Sequence, residues 1–459
     1  DISLKVYSDT HKDKLDYCFY ATVGDNYNMK KTILLLTSMA MLSITCSNSP
    51  EKDIQSNNNT STTPTFGKTL PAWSEGYLDI HFINTCTGES QFIIMPDGTQ
   101  MLVDVGGALL DDELALVPIP DQARRPGEWI NRYIKRCMKW TKNDKIDYLS
   151  ITHLHGDHIG TISPATPNSY KGNWRSSSLA DIVDNNKVGK LVDRGYPKYD
   201  YPSYTVENKH LDNYIKCTRW HAATAGMKIE RFVPGADNQF TLKYDAASYP
   251  AFKIQNIAAN GVVWTGKGTE TATAFPDSSA FVGKGKADQP SPSENSLSTV
   301  FKLTYGDFDY FAGGDVSHNG DEYFSWKDVE TPIADVVGCV EVMKANHHGC
   351  WDANNDYILE KLSPLSIILT VWRTTQPTGG IAKYFSPKVN GGNTDLFITH
   401  LEPETEEKLG ADMAKVASKD DAHIVVRVNP DGKTYYIYVI NVNGDSMKVT
   451  KAFGPYHSR

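Results

Sequence analysis

The stretch Thr152-His153-Leu154-His155-Gly156-Asp157-His158-Ile159-Gly160 sets four side chains able to bind a metal within six residues. It follows directly on Lys145-Ile146-Asp147-Tyr148-Leu149-Ser150-Ile151, whose short, apolar, β-branched character reads as a buried strand. Side chains two apart on an extended backbone point the same way, so His153 and His155 leave the strand end on one side and can reach one ion. Asp157 and His158 follow in the turn and can face a second. A single histidine is more often a satisfied core or surface group than a ligand. Four ligands in this order point instead to a two-metal site.

Other strings occur downstream and upstream in a telling order. Leu102-Val103-Asp104-Val105-Gly106-Gly107 is a strand ending in Asp, and Tyr310-Phe311-Ala312-Gly313-Gly314-Asp315 is an apolar strand ending in Gly-Gly-Asp. Val342-Met343-Lys344-Ala345-Asn346-His347-His348-Gly349 is a strand running into His-His-Gly. With the first string these words resemble the HxHxDH signature and accompanying motifs of the metallo-β-lactamase superfamily. The subgroup they resemble is the hydrolase domain of DNA-internalisation competence proteins and its stand-alone relatives, which include a phosphorylcholine esterase. Phe82 to Ser90 with Met95-Pro96-Asp97-Gly98, and Glu294-Asn295-Ser296-Leu297-Ser298 running into Tyr305-Gly306-Asp307-Phe308, are similar to that subgroup's opening hairpin and to its approach to the Asp that ends Gly-Gly-Asp. The likeness spans roughly residues 78 to 440, with long unmatched insertions between 161 and 290.

The resemblance implies a site. His153 and His155 would hold the first metal, Asp157, His158 and His348 the second, and Asp315 would bridge both. Asp104 would organise the histidine loop by hydrogen bonding without touching metal, and Asn295 would lie in the same supporting layer. His347 would be left to act at the substrate, donating a hydrogen bond or proton to the leaving oxygen, with Asp157 the other residue placed in the catalytic group. Two divalent ions are implied, with zinc suited to the histidine-rich set and manganese its rival because carboxylates contribute. Two departures stand out. Many superfamily members carry a further histidine where this chain has Asn295-Ser296, so the first metal is a ligand short; His210, His221 and His318 are available, though each reads as a surface residue. Cys350 stands where the subgroup usually has Ser; its thiolate could join a metal site, while a buried, inert thiol is the plainer reading.

With 459 residues, 40% hydrophobic and 22% charged, the chain can form one large globular domain. The expected architecture is α/β, a four-layer αββα sandwich, over residues 76–459. Residues 126 to 140 fit an outer helix: Pro126 sits in the first turn, and Trp129, Ile130, Tyr133, Ile134, Cys137 and Met138 recur at helical spacing. His423 to Val428, Asn429-Pro430-Asp431-Gly432 and Thr434 to Ile440 read as a hairpin expected to close the second sheet.

The amino terminus reads differently. Met29 is taken as the true start, with residues 1–28 upstream of it; Lys30, Lys31 and the apolar run to Thr45 have the length of a signal-peptide core. Cys46 then resembles the acylated cysteine of a bacterial lipoprotein, although Ser43 and Thr45 replace the usual neighbours. Residues 46–75 read as a flexible tether. The expectation is an exported protein, lipid-anchored on the periplasmic side or cell surface, with no protein partner evident.

The formal charge is −9 and no long Lys/Arg run is present, which disfavours nonspecific nucleic-acid binding. Arg124, Arg125, Arg132, Lys135 and Arg136 read as a solvated helix face. Tyr196, Tyr199, Tyr201, Tyr204, Trp220, Trp264 and Trp351 could wall a cleft, although core and loop anchoring is the commoner use of such rings. The function expected from the resemblance is water-activating hydrolysis of a phosphodiester, either small molecule or polymer. The alternatives are a lactone, β-lactam or other amide or ester hydrolase, and a surface lipoprotein that binds without turnover.

Overall fold

The computed structural model describes residues 67–108, 113–201, 209–276, 292–318 and 325–459. Met29, the apolar run, Cys46 and the tether as far as residue 66 lie outside the described residues, as does Tyr204.

The amino-terminal half runs β1 (Leu78–Phe82), β2 (Gln91–Ile94), β3 (Gln100–Val103), α1 (Pro126–Met138) and β4 (Lys145–Ser150). The single turn α2 (Gly156–Ile159) carries the ligand string, followed by α3 (Ser178–Asn185), β5 (Lys187–Asp193), α4 (Lys209–Thr224) and β6 (Lys228–Arg231). Next come β7 (Phe252–Ala259), β8 (Val262–Trp264), β9 (Thr271–Thr273), β10 (Val300–Tyr305), β11 (Phe308–Ala312), α5 (Glu330–Val337) and β12 (Val342–Lys344). The chain finishes with α6 (Asp356–Leu362), β13 (Ser366–Leu369), β14 (Asp395–Ile398), α7 (Pro403–Leu409), β15 (Val416–Ser418), β16 (Ala422–Val428), β17 (Thr434–Asn441) and β18 (Val449–His457).

These strands make two nine-stranded mixed sheets, one ordered β18-β17-β16-β1-β2-β3-β4-β5-β6 and the other β15-β14-β13-β12-β11-β10-β7-β8-β9. Period-two alternation sorts their side chains into layers. In the first sheet Ile80, Phe82, Met101, Val103 and Tyr148 point into the same apolar core as Phe301, Leu303, Tyr310, Ile368 and Phe397 of the second. The opposite face, with Phe92, Leu102, Leu149 and Leu191, is covered by Ile130 and Ile134 of α1, Leu179 and Val183 of α3, and Tyr214 of α4. Ile333, Val337, Ile358 and Leu362 of α5 and α6 cover Phe311, Met343, Ile367 and Leu396 on the second sheet. Helix, sheet, sheet, helix is the four-layer order expected.

Three features differ from the sequence reading. The β16–β17 hairpin pairs through β16 with β1, so it extends the first sheet, not the second. Its side chains dictate this: Ile424, Val426 and Val428 join Leu78, Ile80 and Phe82 in the inter-sheet core. Secondly, residues 161–290, which the resemblance leaves unmatched, contribute β5 and β6 to one sheet and β7 to β9 to the other. Thirdly, the last part of the expected tether is docked. The backbone from Gly67 bonds to Val449 and Met447, and Leu70 and Trp73 are buried.

The strand ends gather the site. β3 and β4 are parallel neighbours, as are β11 and β12, so the loops leaving their carboxyl ends emerge side by side. Those four loops carry Asp104, the His153–His158 run, Asp315 and the His347-His348 pair.

A buried ion pair ties the first sheet together. Arg427 Nε and Nη2 donate to Asp79 Oδ1 and Oδ2 at 2.7 and 2.6 Å across directly facing positions of β16 and β1. Burial alone would raise the Asp79 carboxyl, but the Arg427 guanidinium outweighs it and holds the group at about 2. Since the folded value lies below the unfolded one, the stabilisation is present above about pH 4 and is lost as pH falls toward 2. Replacing one partner leaves a buried charge uncompensated, so Arg427→Met should cost about 3–5 kcal/mol in urea unfolding at pH 7. The gap to the native chain should narrow as the pH falls from neutral toward 2, and a loss below about 1 kcal/mol at pH 7 would overturn this account.

Candidate metal centre

Asp104 ends β3 in a left-handed conformation, φ 56°, which a short polar side chain tolerates. Its Oδ1 accepts from Thr152 N–H at 2.8 Å and its Oδ2 from the Thr152 hydroxyl and His158 Nδ1, each at 2.7 Å. One carboxylate thereby fixes the start of the ligand string and the ring of its last histidine. Glycines make room for the turn. A Cβ on Gly88 would stand 2.1 Å from the Asp157 carbonyl oxygen and one on Gly106 2.6 Å from it, so only glycine lets these backbones approach.

With His158 Nδ1–H committed to Asp104, Nε2 faces inward, 3.1 Å from Asp315 Oδ2 and 3.6 Å from Asp157 Oδ2. His348 behaves alike. Its Nδ1–H donates to the Thr370 carbonyl at 3.1 Å, and its Nε2 lies 3.2 Å from Asp157 Oδ2 and 3.4 Å from Asp315 Oδ2. That Nε2 is buried without a hydrogen-bond partner. Donor atoms around an ion at bond lengths of about 2.1 Å sit about 3.4 Å apart, so these four residues fit a common metal. His153 Nε2 is 3.9 Å from Asp315 Oδ2 and 3.1 Å from His155 Nδ1. The second-metal set expected from sequence thus converges tightly, and the first-metal pair sits beside it.

The electrostatics favour a cation. Asp104, Asp157, Asp315 and Glu89 are all buried here, and Lys344, fully buried itself, is the fixed positive charge among them. Burial works against a charged His158, yet Asp315, Asp104 and Asp157 prevail and raise its proton affinity well above the ordinary value. His348 is opposed by burial in the same way, but Asp315 and Asp157 lift it to about 9. The carboxylates attract positive charge, whether protons or a divalent ion.

Several supporting residues carry no role in the sequence reading. Lys344 Nζ bridges Glu89 Oε2 at 2.5 Å, the Gly314 carbonyl at 2.7 Å and Asp315 Oδ1 at 3.3 Å, leaving Asp315 Oδ2 toward the histidines. Glu89 falls within reach of His158, Asp315 and His348 as a potential ligand, but its Oε2 is turned to Lys344. Glu294 Oε1 accepts from Leu154 N–H, inside the ligand string, and is anchored by buried Arg194. Lys344, Glu89 and Glu294 all stand inside the quoted motif strings, the only signal that could have marked them.

His347 takes the other path expected of it. It lies outside the cluster and lines an open pocket of about 560 Å³ with His155, Asp157, Asp315, Trp351, Trp372 and Arg373. Its Nδ1 is 2.7 Å from Asp352 Oδ1, and Asn295 Nδ2 donates to its Nε2 at 3.0 Å. Asn295 therefore supports His347, not a first-metal ligand. The histidines considered as a missing ligand lie elsewhere. His221 is buried on α4 against Asp184 at 2.7 Å among Trp174 and Trp220, so it is a core residue and not a surface one. His210 Nδ1 accepts from Ile162 N–H, and His318 is half-buried with its backbone N–H on the Asp352 carbonyl.

Of the aromatic residues considered for a cleft wall, Trp351, 64% exposed, lines the pocket. Tyr199 and Trp220 are held in the helical layer instead, and Trp264 donates to the Gly268 carbonyl. The basic strip is largely paired: Arg132 and Arg136 meet Asp445, and Arg125 meets Asp181.

No protein-family model matches this sequence, and a search of curated proteins returns no match. Among solved structures, one from Parabacteroides distasonis, described as a "putative metal-dependent hydrolase", is 12% identical, covering 70% of this chain and 92% of that one at a TM-score of 0.29. A likeness of that size carries no argument about activity.

If Asp104 orients His158, removing its charge should loosen metal without touching a ligand. Asp104→Asn should lower zinc affinity by about 10–100-fold in chelator competition while the circular dichroism spectrum stays native. An unchanged affinity would rule out that role.

Proposed function

We propose that this chain is a metal-dependent hydrolase of the metallo-β-lactamase type, acting on phosphodiesters. The observation that carries the reading is the convergence of Asp157, His158, Asp315 and His348, with donor atoms 3.1–3.6 Å apart, where Asp157 and Asp315 line an open pocket. One divalent ion held there and a second held by His153, His155 and Asp315, zinc or manganese, would supply a water of lowered pKa and stabilise charge developing at phosphorus.

The chain's own groups do the remaining work. Asp104 and the Thr370 carbonyl hold the Nδ1–H of His158 and His348, so both present a lone pair to the centre. Asp315 is held by Lys344 through one oxygen, keeping the other for bridging. His347 stands at the pocket wall, where its Nε2 can exchange a proton with the leaving oxygen once Asn295 releases it; Asp352, 2.7 Å from Nδ1, fixes the ring. Asp157, whose Oδ2 faces His158 and His348, stays with His347 in the catalytic group.

Phosphodiesters are favoured over lactams by the sequence, since the further histidine of many superfamily members is replaced by Asn295-Ser296. We also infer, from Met29 to Cys46 alone, that the chain is exported and held at a membrane surface by lipid on Cys46. The substrate is a small or polymeric phosphoester, with the net charge of −9 disfavouring nonspecific nucleic acid.

With stoichiometric zinc or manganese, the full chain should hydrolyse bis(p-nitrophenyl) phosphate, and chelation should abolish turnover. His347→Ala should lower kcat by about 10²–10⁴-fold with metal content unchanged. Turnover of a lactone or nitrocefin panel without any phosphodiester cleavage would falsify the substrate class.

A further inference from the structure

Cys350 is the one departure in the histidine motif that the proposed hydrolysis does not use, and the structure places it in a second group of ligand types. His347 and Cys350 are half-buried and Asp352 is 9% exposed, and one donor atom from each lies within 4.8 Å of the others. All three line the pocket wall, where an ion can enter from solvent. None of them belongs to the Asp157, His158, Asp315 and His348 cluster.

We propose that His347 Nδ1, Cys350 Sγ and Asp352 Oδ1 form a third, accessory site for a thiophilic divalent ion such as zinc. Imidazole, thiolate and carboxylate make a donor set suited to zinc, and an open fourth position toward the pocket leaves room for water. His347 Nδ1 and Asp352 Oδ1 are 2.7 Å apart, and a small opening of the half-buried loop would admit the ion between them.

A second observation concerns Asn295. Its Oδ1 is buried and has no hydrogen-bond partner, while its Nδ2 donates to His347 Nε2 at 3.0 Å. In that arrangement Nδ1 carries the ring proton and gives it to Asp352. A half-turn of the Asn295 amide would bring Oδ1 to Nε2 and satisfy the orphaned oxygen by accepting an Nε2–H. The Nδ1 lone pair would then face the Asp352 carboxylate, an arrangement that is repulsive unless a cation stands between them. Asn295 can therefore serve either protonation pattern of His347, and the second is the one a metal needs.

The proton balance is complete. The ring proton leaves Nδ1 and Nε2 takes one up through solvent, so the imidazole stays neutral. The Cys350 thiol gives its proton to solvent as the S–metal bond forms, for a net release of one proton per ion bound. Nothing is oxidised or reduced. Once held this way, His347 can no longer swing to the leaving oxygen, so excess zinc should inhibit the proposed hydrolysis.

Cobalt(II) titrated into metal-free full-length chain tests the site, because the ligands of the Asp157, His158, Asp315 and His348 cluster include no cysteine. Cobalt in excess of the first two equivalents should produce a thiolate-to-cobalt charge-transfer band in the near ultraviolet, with one further equivalent bound. Cys350→Ser should lose both, and Asp352→Asn should weaken both while keeping the thiol. Absence of the band, or its persistence in Cys350→Ser, would overturn the proposal. A band in a chain with no phosphodiesterase activity would leave the third site standing and remove only the hydrolase reading on which the expected inhibition rests.

Discussion

Everything around the site answers to one electrostatic constraint: Asp104, Asp157, Asp315 and Glu89 are buried together where the two sheets meet. Unpaired carboxylates in such a place cost several kcal/mol each, so the fold must supply compensation. Lys344 provides one fixed charge, to Glu89 and one oxygen of Asp315. Thr152 supplies two hydrogen bonds to Asp104. What remains is negative, and the Nε2 atoms of His158 and His348 are turned into it. A site whose histidines are driven to bind protons by their neighbours is also one that binds a divalent cation strongly, because the cation relieves the same repulsion. The sandwich architecture serves this end: parallel strand pairs in each sheet deliver the carboxylates and histidines from four loops to a single point.

Local strings made much of this legible. The ligand run after an apolar strand marked His153, His155, Asp157 and His158 by spacing, and Asp104, Asp315 and His348 followed from motif resemblance; the structure brings all seven to one place. The layer order followed from the resemblance, and local apolar alternation and helical periodicity agree with it. The partner of the last hairpin could not be read, since an alternating strand fits either sheet and the choice is made by which core its inward residues fill. Residues 161–290 were opaque for a related reason: strands as short as Lys228–Arg231 and Val262–Trp264 carry little pattern of their own and are defined by their neighbours.

Supporting residues were the least legible part. Glu89 and Lys344 are some 250 positions apart in sequence, and nothing in either string states that they meet; Glu89 lies between β1 and β2 of one sheet and Lys344 ends β12 of the other, so their pairing exists only once the two sheets pack. Asp352 lies four residues beyond His348, in a stretch with no periodicity, and reaches back to His347 because the chain turns there. His221 failed in the opposite sense. A polar residue near the end of a helix with a weak apolar stripe reads as exposed, yet Asp184, Ser169 and Trp174 form a buried polar knot that accepts it.

The two adjacent histidines show how backbone conformation divides labour. His347 and His348 both have left-handed φ, 44° and 51°, which for non-glycine residues costs on the order of 1–3 kcal/mol each. In a regular strand neighbouring side chains would point to opposite faces of one sheet, and only one could reach the pocket region. The left-handed pair instead sends His348 down to Asp157 and Asp315 and His347 sideways to Asp352 and Asn295. Glu330 holds the strain in place from beneath, accepting from the Asn346 amide and from the backbone N–H of Asn354 and Asn355 on either side of the loop. Its burial pushes its carboxyl up to about 7 even against those three donors, a cost the fold carries at a residue that touches neither histidine. Strain at the ligand loop and a buried carboxylate under it are two sides of one arrangement, which Asn354 completes by accepting from the Asn346 N–H and donating to the Asn346 carbonyl across the loop.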